Sequence, residues 1–293
     1  MSLPSSIHTI VTHPGGAHKD ELLACALLLQ AHPVEILRRD PTPEELHDPQ
    51  VAVVDIGYVH DPARSNFDHH QFPRDHTPTC SLSLVLQALD LYEDAHRFCD
   101  WLETLEWFDS KGAIATARWL GIDPEVSRKL HSPLDVTLLN WFASGERWKP
   151  GDALWETLRR TGSDLVRYLK TLHDRLQFIA AHHEIWEFPH DAAESTLRMI
   201  FLPRTDPLPD DPSLGLARFM DEHSLRLHGL IYPDRRGPGY GLSRYQDDPL
   251  LDFSRITDAP DVHFAHARGF LAKTHVTDTQ RLRELVAASI VAD

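Results

Sequence analysis

Between Ile7 and Asp55 the chain alternates short β-branched apolar runs with one long helix-forming stretch. Ile7–Thr12 ends against His13-Pro14-Gly15-Gly16, which predicts a buried strand followed by a loop. From Lys19 the run KDELLACALLLQA consists of helix formers, with Asp20 and Glu21 in the first turn, where the helix dipole favours anions. Val34–Leu37 and Val51–Asp55 predict two further strands, separated by a proline- and acid-rich segment with room for one helical turn. Strands alternating with helices predict an α/β fold with a doubly wound, mostly parallel sheet. Ligands collect at the carboxyl ends of the strands in such sheets, and His13 and Asp55 both fall on that rim.

Further along, Ser81–Leu91, Ala95–Phe108, Ala113–Leu120 and Pro124–Leu130 predict helices, with Asp109 at the end of the second. Trp101, Trp107, Trp119 and Trp141 are expected in the core at helical spacing rather than as base-stacking platforms. From Asp152 to Trp186 a stripe of Leu154, Leu158, Leu165, Leu169, Leu172, Leu176 and Ile179 recurs every three or four residues. It reads as core packing, with a spacer or homodimer face as the alternative. Beyond it, Leu197–Leu202, Arg226–Tyr232 and Tyr240–Tyr245 predict strands, a proline-rich stretch occupies Pro203–Pro212, and Asp278–Ala288 predicts a last helix. The expected organisation is an N-terminal α/β domain over residues 1–122, a helical spacer over 123–190, and a smaller α+β C-terminal domain over 191–293.

A chain of 293 residues is long enough for two domains. Its formal charge of −15 argues against a general grip on long duplex nucleic acid, which needs a broad basic surface, but leaves room for a short oligonucleotide in a locally positive site. The cysteines Cys25, Cys80 and Cys99 are odd in number and sit in apolar stretches, as expected of buried free thiols in a reducing, cytoplasmic protein. The start, MSLPSSIHTI, has no basic region followed by an apolar one, and no apolar run approaches the roughly 20 residues a bilayer requires. No membrane association is expected.

With 20 histidines in the chain, a single one carries little information. Spacing changes that in the first loop, where His13, His18 and Asp20 surround the flexible Gly15-Gly16 pair. At the tip of a later strand stands Asp55, and thirteen residues on comes Asp68-His69-His70. Together with Asp109 these are donors for divalent cations of hard to intermediate character. His13, His18, Asp20, Asp55, His69 and Asp109 exceed the three or four protein ligands of a mononuclear site and fit two metals with one bridging carboxylate. Paired metals are the usual device for hydroxide attack on phosphorus. Near the C-terminus, His266, Arg268 and Gly269 in HARGF offer an imidazole, a guanidinium and a close backbone approach to a phosphate. His182-His183 and Arg235-Arg236, by contrast, are expected as solvated surface residues.

The stretches THPGGAHKDE, VVDIG, FDHHQ and WLETLEWFDSKG resemble the four ordered motifs of the DHH phosphoesterase superfamily, which includes RecJ exonucleases, oligoribonucleases and family II pyrophosphatases. His18 and the tail VHFAHARGFLAKT are similar to the melanocyte-proliferating-gene branch, uncharacterised protein family 0160. The resemblance implies a metal-dependent 3′-5′ exonuclease acting on short single-stranded RNA or oligonucleotides. It implies two manganese ions, with zinc, iron or magnesium as alternatives: one on His13, His18 and Asp55, the other on Asp20, Asp55, His69 and Asp109. Asp68 then orients an imidazole, His70 contacts the scissile phosphate and serves as general acid, and His266, Arg268 and Gly269 bind substrate. A histidine at position 18 departs from the aspartate of the pyrophosphatases and RecJ proteins. Lys19 lies between two expected ligands, and Arg268 stands where a small residue is expected. Two rivals share the metal core: a small-molecule phosphatase or pyrophosphatase acting on a small phosphate ester, and a metal-bound nucleotide sensor without turnover.

Overall fold

The computed structural model describes residues 6–129, 132–190 and 195–291. Residues 1–5, over which no leader is expected, and Leu130, the expected end of a helix, lie outside the described residues. The chain divides into two compact units, residues 1–171 and 172–293.

The first unit is built on a mostly parallel sheet. Strand β1 (Thr9–Thr12) is followed by helix α1 (Lys19–Ala31), β2 (Glu35–Arg38), β3 (Val51–Val54), β4 (His60–Asp61) and β5 (Asn66–Phe67). Helices α2 (Ser81–Ala88), α3 (Tyr92–Phe98), α4 (Asp100–Lys111), α5 (Ala113–Trp119), α6 (Pro124–Lys129) and α7 (Pro133–Ala143) come next, then the short strand β6 (Arg147–Trp148). The sheet order is β4-β5-β3-β1-β2-β6. β2, β1, β3 and β5 run parallel, and the short edge strands β4 and β6 run antiparallel to them. From β1 the chain passes to β2 on one side and then crosses to β3 on the other, so the carboxyl ends of β1 and β3 flank the point where the winding reverses.

Helix α1 is apolar nearly all round and is buried accordingly, packing against α2, α4, α7 and the sheet. A second crossing is closer still. A Cβ on Gly162 would lie 1.9 Å from the Ala26 carbonyl oxygen, so only glycine lets helix α8 (Ala153–His182) approach the back of α1. The opposite sheet face buries Val11, Val51 and Val53 under Leu37, Leu46 and Ile56.

The second unit is α+β. β7 (Glu184–His190) and β8 (Ser195–Phe201) form a hairpin, helix α9 (Leu216–Glu222) intervenes, and β9 (Gly229–Pro233) joins β8 in parallel. β10 (Tyr240–Arg244), β11 (Val262–Ala265) and β12 (Leu271–Thr274) complete the sheet in the order β11-β12-β10-β9-β8-β7. Its core is formed by residues such as Trp186, Met199, Phe201, Leu242 and Phe253 with Leu282 and Val286 of helix α10 (Thr279–Ala288), which Asp278 caps through the Arg281 amide at 2.7 Å.

Several sequence expectations need correction. The stretch expected as one helix over Ala95–Phe108 is two helices, α3 and α4, because the backbone leaves the helical region at Cys99, and α4 runs on past Asp109 to Lys111. The long helix stops at His182, and Trp186 belongs to a strand in the core of the second unit. Trp101, Trp119 and Trp141 are 43%, 37% and 39% exposed and so are not core residues. Trp107, partly buried, stacks on Trp119 at 5.0 Å. The cysteines are free and buried, as expected. Among the described residues no helix is long and apolar enough to cross a membrane.

Candidate metal centre

Three adjacent parallel strands deliver their carboxyl ends to one place. β1 is followed by His13, β3 by Asp55, and β5 by Asp68-His69-His70. Helix α1 adds Asp20 in its first turn with His18 as its N-cap, and α4 adds Asp109.

Asp55 stands at the middle of the set. Its φ of +61° is left-handed, a conformation that costs an L residue on the order of 1–2 kcal/mol and that aspartate tolerates better than most. The Asp55 amide still continues the β3–β5 ladder by donating to the Phe67 carbonyl at 3.0 Å. Its carboxylate meets His13 Nε2 at 3.5 Å on one side and His69 Nε2 at 3.2 Å on the other. His69 Nε2 also lies 2.8 Å from Asp109 Oδ2, and His18 Nδ1 lies 3.9 Å from Asp109 Oδ1.

The donor atoms fall into groups that are each close enough to hold a cation, all within 4.8 Å of one another: His13, His18 and Asp55; Asp20, Asp55, His69 and Asp109; and Asp55, His69 and His70. Asp55 is common to all of them. The structure thus brings together every N-terminal residue expected to bind metal.

Charge and hydrogen bonding agree with a cationic occupant. Both Asp55 carboxylate oxygens, Asp20 Oδ1, His13 Nε2 and His69 Nε2 are buried without a hydrogen-bond partner. Orphaned polar atoms are costly unless something else satisfies them, and here they are the very atoms that would ligate. Burial, then the charges of Asp55 and Asp109, push the Asp20 carboxyl well above the usual carboxylate range. Burial likewise raises Asp55, with Asp109 and Glu21 adding to it. The facing Glu21 carboxylate pushes His13 up to about 9 against the effect of burial. Burial draws His69 down, but the facing carboxylates of Asp109 and Asp55 outweigh that and hold it at about 10. Protons therefore stand in for positive charge among these acids. A divalent ion placed there would reverse both tendencies, leaving carboxylates ionised and imidazoles neutral.

Surrounding contacts aim the donors. His13 Nδ1 donates to the Pro14 carbonyl at 2.9 Å, which leaves the lone pair of the neutral ring on Nε2, facing Asp55. Asp20 uses Oδ2 on the Ser81 hydroxyl at 2.6 Å and the Ser81 amide at 3.2 Å, so Oδ1 remains for the cluster. Asp68 accepts from the Tyr58 amide, the His70 amide and His70 Nδ1 at 2.7, 3.0 and 2.7 Å. Burial raises the Asp68 carboxyl, but these hydrogen bonds prevail and hold it below its usual value; Asp68 in turn raises His70. His70 is half exposed and points Nδ1 at Asp68. Lys19 turns away to pair with Asp135 on α7.

Two residues that sequence reasoning missed complete the site. Glu21, expected only as a partner of the helix dipole, is fully buried and meets His13 Nε2 at 3.1 Å, Thr12 Oγ1 at 2.7 Å and the His18 amide at 3.1 Å. Arg38 at the end of β2 donates to Glu21, to the Gly15 and Gly16 carbonyls and to Phe142, over whose ring it stacks at 4.6 Å. It ties down the turn between His13 and His18.

His266, Arg268 and Gly269 lie in the second unit, in the turn of the β11–β12 hairpin. His266 Nδ1 accepts from the Arg268 amide at 3.1 Å, its ring packs 4.1 Å from Phe270, and Arg268 is exposed. Gly269 has a φ of +69°, and a Cβ there would lie 2.0 Å from Asp252 Oδ1. Arg235 and Arg236 are exposed in the β9–β10 turn, as expected.

Comparison with known proteins places the signature in the same strands. Residues 9–87 match the model of an uncharacterised protein family (UPF0160). The chain is 47% identical over 76 residues to the MYG1 exonucleases of Homo sapiens and Bos taurus, covering 25% of this chain and 19% of each relative. The matched stretch thus spans about a fifth of the length of these curated relatives. No solved structure matches the chain.

Proposed function

We propose, from the match of residues 9–87 to the model of family UPF0160 and from the geometry of the Asp55 cluster, that the protein is a hydrolase of the nuclease kind, cleaving phosphodiester bonds with a pair of divalent metal ions. The observation that carries the reading is the shared Asp55 carboxylate, buried, with both oxygens unpartnered and a histidine on either side. His13, His18 and Asp55 would hold one ion, and Asp20, Asp55, His69 and Asp109 the other. Manganese suits the mixed oxygen and nitrogen donors, with zinc, iron or magnesium as alternatives. Bound there, the ions supply an activated water at neutral pH and neutralise charge on the phosphate.

The chain's own residues do the remainder. Glu21 and Arg38 fix the loop that carries His13 and His18. Asp68 keeps the proton of His70 on Nδ1 and the ring in place, and raises its affinity for a second proton. His70, at the rim, binds a phosphate oxygen and in its doubly protonated form gives a proton to the leaving oxygen. In the second unit, His266, Arg268 and Gly269 are the proposed substrate-binding residues. Short single-stranded RNA processed from its 3′ end is the substrate this assignment favours.

The test is hydrolysis of a panel of short oligoribonucleotides, dinucleotides, pyrophosphate and a generic phosphodiester, with and without chelator. Manganese-dependent cleavage of the oligoribonucleotides supports the reading. Cleavage of pyrophosphate alone would make the protein a small-molecule phosphatase, and tight nucleotide binding without turnover would make it a sensor.

A further inference from the structure

A recess of about 450 Å³ opens beside the Asp55 cluster within the first unit. One wall is the metal side, with His18, His69 and Asp109; the other is the loop that follows the double histidine. Its volume is that of a site for a small organic ligand, larger than a lone phosphate requires.

That loop presents an ordered aromatic surface. The rings of Phe72 and His76 stack at 4.4 Å with 23° between their planes, and His60 meets Phe72 edge-on at 6.0 Å. His76 Nδ1 donates to the Thr77 carbonyl at 2.7 Å, which fixes the ring. Its residue is exposed, and among the described residues no ring covers the face turned away from Phe72. The backbone beneath is held by two turns, Phe72 amide to His69 carbonyl at 3.0 Å and His76 amide to Pro73 carbonyl at 2.9 Å. Lys111 locks it from the side, donating to the Arg74 and His76 carbonyls at 2.6 and 3.0 Å. Lys111 follows Asp109 by two residues on α4, so the same helix end fixes the platform and contributes to the cluster. Arg74 and Lys111 also give this wall positive charge in a chain of net charge −15.

We infer that this recess binds the nucleobase next to the scissile phosphate, with the base stacked on the open face of His76 and Phe72 behind it. An aromatic platform does nothing for inorganic phosphate, whereas every nucleobase offers a π-face, so the site takes nucleotides without strong base preference. The inference deepens the phosphohydrolase reading and rests on it for the position of the phosphate.

The test compares affinities for adenosine 5′-monophosphate and ribose 5-phosphate by calorimetry with manganese present, a readout independent of turnover. Wild type is expected to prefer the nucleotide by roughly tenfold or more, the range of one base–aromatic stack. His76→Ala should bring that ratio close to one, and His76→Phe, which keeps the ring, should preserve it. A wild-type ratio near one, a ratio unchanged in His76→Ala, or failure to bind either sugar phosphate overturns the proposal. Phosphodiester hydrolysis with a ratio near one removes the base platform and leaves the phosphohydrolase reading intact, so the two failures are distinct.

Discussion

Arg38 and Glu21 form a buried ion pair, Nη2 to Oε1 at 3.2 Å, with side chains 1% and 0% exposed. Removing one partner leaves a charge without compensation in the interior, which typically costs about 3–5 kcal/mol. Arg38→Met is therefore expected to lower the stability of the metal-free protein by about that much, and the double variant Glu21→Gln/Arg38→Met by less than the sum of the single changes. Urea denaturation of the four proteins measures the coupling. Strict additivity would mean that the pair does not act as a unit.

The second prediction concerns pH. In the metal-free fold His13 is held at about 9 and His69 at about 10, both above the ordinary imidazole value of about 6.5. The folded state then binds more protons than the unfolded one between these values. Stability from these groups is complete below about pH 6.5 and is lost as pH rises through about 9 and about 10. Metal uptake must expel the same protons, so affinity for manganese should climb with pH across this window rather than level off just above 6.5. Calorimetry in buffers of different ionisation enthalpy counts the protons released. No release at pH 8 would remove the histidines from the ligand set.

Asp68 and His70 give a prediction about rate. Because Asp68 raises the His70 imidazole, the proton that His70 donates should remain available to higher pH than an isolated histidine allows. Asp68→Asn is expected to move the basic limb of the kcat/KM profile to lower pH with metal content intact. His70→Ala should reduce kcat by roughly 10²–10⁴-fold. A profile that does not move in Asp68→Asn would reduce Asp68 to a structural role.

Arg268 tests the second unit. Arg268→Ala is expected to leave metal content unchanged and to weaken the kcat/KM for an oligonucleotide by about 1.5–3 kcal/mol, the range of a charge-assisted hydrogen bond. A small phosphodiester should be affected much less. Equal kinetics in Arg268→Ala and wild type, together with a silent His266→Ala, would make the β11–β12 turn purely structural.

The legible part of the site was the part written beside strand ends. His13 and Asp55 each directly follow an apolar run, and the carboxyl end of a parallel strand is where such residues meet, whereas Asp68-His69-His70 stood out as a cluster of adjacent donors. Glu21 and Arg38 were not legible because their roles come from pairing across the sheet: β1 and β2 place Thr12 beside Arg38, although 26 residues separate them in the chain. The two-residue strands β4 and β5 are too short to leave a period, yet β5 is what brings Asp68 and His69 to Asp55. The tryptophans failed for a related reason. Helical spacing shows which residues share a face but not whether another element covers it, and the outer helices α4, α5 and α7 leave Trp101, Trp119 and Trp141 partly in solvent.

The account turns on Asp55 serving two cations at once, and titration of chelator-stripped protein with manganese tests it most directly. Wild type is expected to take up about two ions per chain. Asp55→Asn should lose both, with the fold retained by circular dichroism. A wild-type stoichiometry that saturates at one ion, or an Asp55→Asn variant that still binds two, would contradict it.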